Sequence, residues 1–244
     1  MRPVVRDRFV EFTAPLEGVV PWMYADIKGL VTTGIGNLID PISHALALPW
    51  ANPDGDPALE SEIRVEWNRV KVSQTAAKLG HRYAQRITTL RLSDAAIQDL
   101  VSGKLSQFEA HLIKRFPLWE SWPACAQLAT LSIAWACGPA FRFPALQAAL
   151  ERGDFMAASL ACSISTAGNP GIVPRNARNR VLYRNAERVV SYGLDPDALD
   201  WTEFLDITDA DTQPAAAGSV EEITLVPHAP RVCACPSCRR TAPE

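Results

Sequence analysis

With 244 residues and 48% hydrophobic content, the chain can bury a sizeable core, as one large domain or two small lobes. A net charge of −3 gives no nucleic-acid footprint. No apolar run approaches the roughly 18 to 20 residues of a membrane helix.

The first residues, Met1 to Arg8, contain no apolar segment of the secretory type, so synthesis without a signal peptide is expected. Val5, Phe9 and Phe12 then recur at helical spacing, and residues 1 to 16 read as a helix that carries Glu17 at its end. Gly18 allows a chain reversal there. Tyr24 to Asp26 and Leu30 to Ile35 read as two strands, joined by the hairpin loop Ile27-Lys28-Gly29. A hairpin folded back beside a helix end can bring Glu17, Asp26 and Thr32 to one cleft. Such a trio suits glycoside hydrolysis. One carboxyl donates a proton to the leaving oxygen, a second activates water or steadies an oxocarbenium-like centre, and a hydroxyl orients the water. Each residue type is also common at its position for ordinary structural reasons.

The register of this stretch carries a resemblance. Glu17-Gly18, a short spacer, Tyr24-x-Asp26, a glycine turn and Thr32-x-Gly34-Ile35-Gly36 resemble the catalytic signature of the phage-type lysozymes, the T-even phage muramidase group. Glu17, Asp26 and Thr32 fall on that family's catalytic Glu, Asp and Thr without a gap. Asn37 departs from the pattern, standing where the family usually has a His of structural, ion-pairing role. The resemblance implies an inverting muramidase without metal or organic cofactor, with peptidoglycan as its partner. It also places Tyr24 and Asn37 at the cleft.

Beyond the hairpin, Pro49 to Pro57 is a turn-rich loop and Ala58 to Tyr83 reads as helical. The resemblance weakens between about Pro41 and Leu90, where the family has the rest of a small β-lobe. Trp50 and Trp67 are candidates for stacking on sugar rings, with core packing as the alternative. Ser93 to Phe116 is the longest helical pattern, with Ser93 as its cap. Ile97, Leu100, Val101, Leu105, Phe108 and Leu112 lie on one face. Ala124 to Cys137 is apolar nearly all round, which predicts a buried helix. Pro144 to Arg152 and Asp154 to Ser163 read as two short helices split by Gly153, and Pro174 to Tyr192 as the last core helix.

That last helix has an unusual charge pattern. Asn169 to Tyr192 holds five arginines and one acid, Glu187. Arg175 and Arg178 fall in its first turns, where the helix dipole disfavours cations. The resemblance implies that an Arg at the start of this helix approaches the catalytic Glu. Arg175 is favoured for that role, Arg178 is the alternative, and solvated arginines are the ordinary explanation.

Cys125, Cys137 and Cys162 lie in apolar helical patterns and read as small core residues. Past Phe204 the composition changes. Residues 206 to 244 carry six acids and three bases, whereas the first 205 carry 21 of each sign. This divides the chain into a catalytic domain, 1–205, and a C-terminal extension, 206–244, that reads as flexible. Cys233, Cys235 and Cys238, with His228, match no standard zinc-finger spacing, so no metal site is assigned.

The expected fold class is α+β and mostly helical. The resemblance makes it lysozyme-like, with a small β-hairpin lobe and a larger helical lobe joined by the long helix. The expected function is cleavage of the β-1,4 bond between N-acetylmuramic acid and N-acetylglucosamine. The chain would act as a phage endolysin, or as a secreted antibacterial effector with a secretion machine and an immunity protein as partners. Rival readings are a lytic transglycosylase, a non-catalytic wall-binding module and a zinc-dependent interaction protein.

Overall fold

The computed structural model describes residues 1–201 except 27, 168, 170 and 200. The expectations for residues 206–244, including the cysteine cluster, lie outside the described residues. The architecture is α+β and mostly helical: ten α-helices and one three-stranded antiparallel sheet among the described residues.

Helix α1 spans Pro3–Glu17, with Val5, Phe9, Phe12 and Thr13 buried along one side. Gly18 ends it with φ 76°, and the Gly18 N–H closes on Ala14 O at 2.8 Å. Glu17 is therefore the last helical residue, as its position before a glycine predicts. The sheet comes next as β1 (Val20–Ala25), β2 (Val31–Gly34) and β3 (Asn37–Leu38), in the order β1-β2-β3. Tyr24 pairs with Thr32 across β1 and β2, and Thr33 pairs with Asn37 across β2 and β3. Strand β3 has no counterpart among the expected elements, because two residues are too few to show an alternating pattern.

The single helical stretch expected over Ala58 to Tyr83 is a chain of short helices. After α2 (Ile42–Leu46) come α3 (Glu60–Lys71), α4 (Gln74–Leu79) and α5 (His81–Ile87). Two breaks divide the stretch: Ser73 caps α4 through Ala76 N, and Gly80 stands between α4 and α5 at φ 69°. Helices α3, α4 and α5 all pack on β1.

Helix α6 (Asp94–Arg115) begins as predicted, with the Ser93 hydroxyl accepting from Ala96 N at 3.2 Å. It packs against α1 and against α7 (Ala124–Cys137). Every residue of α7 from Ala124 to Trp135 is buried, and α7 also packs on α1. Helices α8 (Pro144–Glu151), α9 (Phe155–Ala161) and α10 (Ile172–Tyr192) complete this part, with α10 packed on α7 and α9. One continuous apolar cluster runs from Phe9 and Phe12 through Met23 and Ile35 to Leu131 and Leu182. It holds the sheet and the helices around a common core.

Two expectations are corrected here. Cys137, read as a core residue, is exposed at the last turn of α7, whereas Cys125 and Cys162 are buried. An apolar pattern does not show where a buried helix emerges. Trp50, a candidate for stacking on sugar with core packing as the alternative, is only 2% exposed, and its indole N–H donates to Ala45 O at 2.9 Å. Trp67 is likewise buried, donating to Ile39 O at 2.9 Å. Both indoles have their faces in the core and their N–H groups on backbone carbonyls, so neither offers a platform to a sugar.

Candidate active site

Glu17 projects from the C-terminal end of α1 and remains 28% exposed. Arg175, in the first turns of α10, is 2% exposed and forms a charge-assisted hydrogen bond from Nη2 to Glu17 Oε1. The other branch of the guanidinium donates to Ser132 O at 2.9 Å and Ser132 Oγ at 3.0 Å, both on α7. A buried cation needs such saturation, because desolvation penalises an unpaired charge. Burial also pulls the Arg175 pKa down, and the Glu17 charge opposes that shift. Arg178 points elsewhere. Its Nη1 donates to Phe12 O at 3.1 Å, and the guanidinium lies over the Phe12 ring. Of the two arginines singled out by sequence, Arg175 meets the carboxylate and Arg178 ties α10 to α1.

Asp26 sits at the head of the hairpin. Its Oδ1 accepts the backbone N–H of Lys28 and that of Leu30, each at 2.8 Å. Its own N–H donates to Leu30 O at 2.9 Å. One carboxylate oxygen therefore organises the turn; among the described residues the other has no hydrogen-bond partner. Thr32, two positions into β2, is buried to 6% exposure, and its hydroxyl donates to Leu30 O at 3.3 Å.

Tyr24 feels the charge of both carboxylates. Burial, then the charges of Glu17 and Asp26, push its phenol up to about 12. Both acids thus lie within electrostatic reach of one hydroxyl, carried by the cross-strand neighbour of Thr32. The pairing of β1 with β2 brings Tyr24 and Thr32 side by side, with Asp26 just past the end of β1, and the reversal at Gly18 leads the chain from Glu17 into that strand.

The opposite wall is the turn Gly34-Ile35-Gly36-Asn37. Asn37 is buried, and its Oδ1 accepts Ile35 N at 3.1 Å. It closes the turn locally, as an Asn side chain does well. The Ile35 carbonyl accepts the Trp135 indole N–H at 3.1 Å. Gly36 adopts φ 68°, and a Cβ there would stand 3.9 Å from Glu17 Oε2. The turn thus comes up against the acid in a conformation that favours glycine.

Sequence reasoning missed three residues around this site: Ser132, which holds Arg175, and Trp135 and Lys104, which hold the turn. Ser132 and Trp135 are silent in an all-apolar helix. Lys104 had a signal, because it stands between Leu100 and Phe108 on the apolar face of α6. A groove of about 660 Å³ runs from Gly36, Asn37 and Leu38 along Leu100, Gly103 and Lys104 of α6. A smaller cavity of about 280 Å³, lined by Asn52, Glu66, Arg69 and Thr89, contains none of the site residues. Glu66 there is saturated by Thr89 N at 2.7 Å and Leu90 N at 3.0 Å, which suits a joint between α3 and the segment after α5.

The arrangement has the parts of an acid–base site: an exposed carboxyl on a buried cation, a second carboxylate with one open oxygen, and a hydroxyl next to it. A guanidinium that binds the first carboxylate can steady the negative charge left after its proton departs. Among the described residues no helix is long and apolar enough to cross a membrane. Compared with known proteins, the chain matches no family model and no curated sequence.

Proposed function

We propose that the protein is a peptidoglycan hydrolase of the muramidase type. The observation that supports this best is the position of Glu17: at a helix end, partly exposed, on the buried Arg175, with Asp26 and Thr32 grouped around Tyr24. The signature resemblance supplies the substrate class, and the groove beside Gly36 and Asn37, whose lining does not itself include Glu17, Asp26 or Thr32, is where a polysaccharide chain would continue past the acid.

In this reading Glu17 gives its proton to the glycosidic oxygen as the C–O bond breaks and the bonding pair goes to that oxygen. Arg175 binds the resulting carboxylate. A water near Thr32 attacks the anomeric carbon from the opposite face, and the open oxygen of Asp26 takes its proton. Thr32 Oγ1 accepts a hydrogen bond from that water and so aims it. The product has inverted configuration, and the two protons balance over the cycle. No step requires a cofactor. Residues 1–205 are the proposed catalytic domain, in an endolysin or an exported antibacterial effector.

The test is turbidity loss of purified peptidoglycan, together with mass spectrometry of the fragments. Reducing-end sugars are expected from the wild type, and almost none from Glu17→Gln. Anhydro-muramyl products, with Asp26→Asn still active, would make the protein a lytic transglycosylase. Binding without turnover would make it a wall-binding module.

A further inference from the structure

Lys104 occupies an unfavourable place for a lysine. It is half-buried on α6, its ammonium lies 3.8 Å from the centre of the Trp135 ring, and Nζ donates to Gly36 O at 3.2 Å. Lysines on a helix ordinarily reach water along their flexible stems. This one turns inward to the peptide that faces Glu17 Oε2.

We propose that Lys104 is a positioning residue for the reaction: its ammonium pins the Ile35–Gly36 turn against Glu17. Three side chains hold successive groups of this turn. Asn37 binds the Ile35 N–H, Trp135 binds the Ile35 carbonyl, and Lys104 binds the Gly36 carbonyl. Trp135 also carries the ammonium on its ring face, so the two clamps from α6 and α7 support each other. Releasing one frees the wall that sets the distance between substrate and acid, and small misplacements cost much in rate.

The charges around Lys104 make the clamp sensitive to pH. Glu17 on α1 favours its protonated form and Arg175 on α10 opposes it. Asp99 on the same helix and His44 on α2 line the same groove. Burial is the largest influence and brings the Lys104 pKa down to about 8. Linkage sets the sign. The folded-state pKa lies below the unfolded one, so the protonated lysine costs stability at neutral pH, and that cost fades as pH rises from the folded value towards the unfolded one.

The experiment compares wild type, Lys104→Met and Lys104→Arg in wall lysis across pH, in thermal melts, and in backbone amide NMR of Gly36 and Asn37. Lys104→Met is expected to lose about tenfold in kcat/KM, mainly in kcat, while melting no lower than wild type at neutral pH. Lys104→Arg keeps its charge, and its alkaline limb moves upward from the wild-type value near pH 8. The Gly36 and Asn37 amides titrate near that pH in wild type and not in Lys104→Arg. The proposal is overturned if Lys104→Met retains wild-type rate and pH profile. It is also overturned if rate and melting temperature fall together without an amide titration, since that describes a purely structural residue. If Lys104→Met does not fold, the limb and the amides of Lys104→Arg decide. The kinetic half rests on the hydrolase reading, and the amide half does not. A wild type that clears no wall sinks that reading, and the presence or absence of the amide titration then decides the clamp alone.

Discussion

Glu17 and Asp26 are close in the chain, but they are held in place by different means. Asp26 is fixed by its near neighbours: both backbone donors to its Oδ1 belong to the same hairpin. Glu17 is fixed by residues brought from far away. Its cation is 158 positions distant, on α10, and the wall facing it is clamped from α6 and α7. One carboxylate belongs to a local turn, and the other exists as a site only where the helices have packed. Damage to the helical part should therefore reach the chemistry through Glu17 and spare the geometry of Asp26.

The largest effect is expected from Glu17→Gln, a loss of about three orders of magnitude in lytic rate, in line with general acid contributions. The change is isosteric, so circular dichroism should show an intact fold. Near wild-type clearing of wall suspensions would remove Glu17 from the role of acid.

Asp26→Asn should lower the rate by about two orders of magnitude, because the open oxygen no longer takes a proton. An amide oxygen still accepts from Lys28 and Leu30, so the melting temperature should not move. A large drop in stability would show that the charge of Asp26, and not its shape, holds the hairpin. Thr32→Ala should show a smaller loss of the same kind, since only the aim of the water is affected.

Arg175→Lys tests the long-range side of the contrast. Lysine keeps the charge but cannot fork between Glu17 and Ser132. Rate should fall about tenfold and stability should fall with it, because a buried polar group on α7 loses its donor. Combined with Glu17→Gln the losses should not add, since the two residues act as one unit. Additive losses measured in that double variant would mean that Arg175 works independently of the acid.

The smallest effect is expected from removing residues 209–244. The composition breaks after Phe204, and every residue proposed for the site lies before it. Hydrolysis of soluble wall fragments by the truncated chain should stay within about twofold of the full chain, inside the usual range for changes away from a site. A folded truncation without activity would place part of the site in the extension.

The sequence by itself determined the features that depend on near neighbours. Glu17 precedes Gly18, so it had to stand at a helix end. The two short stretches Tyr24 to Asp26 and Leu30 to Ile35 around a glycine turn marked the hairpin, and with it the grouping of Asp26 and Thr32, although β1 begins earlier, at Val20. Ser93 and the apolar face after it fixed α6, and the all-round apolar run fixed α7 as the buried centre. These are short-range effects of backbone freedom, capping and period, and they can be read from local order. Tertiary structure decided the rest. Trp50 and Trp67 have the same composition as sugar platforms, and only the packing of α2 and α3 put them in the core. Cys137 shares the pattern of its helix but lies past the point where α7 leaves the core. Arg175 and Arg178 are one turn apart with equal charge, and the packing of α10 on α1 and α7 sent one to Glu17 and the other to Phe12 O. Lys104 became part of the site for the same reason. Desolvation and partner choice depend on what arrives from other elements, and no pattern within one helix encodes that arrival.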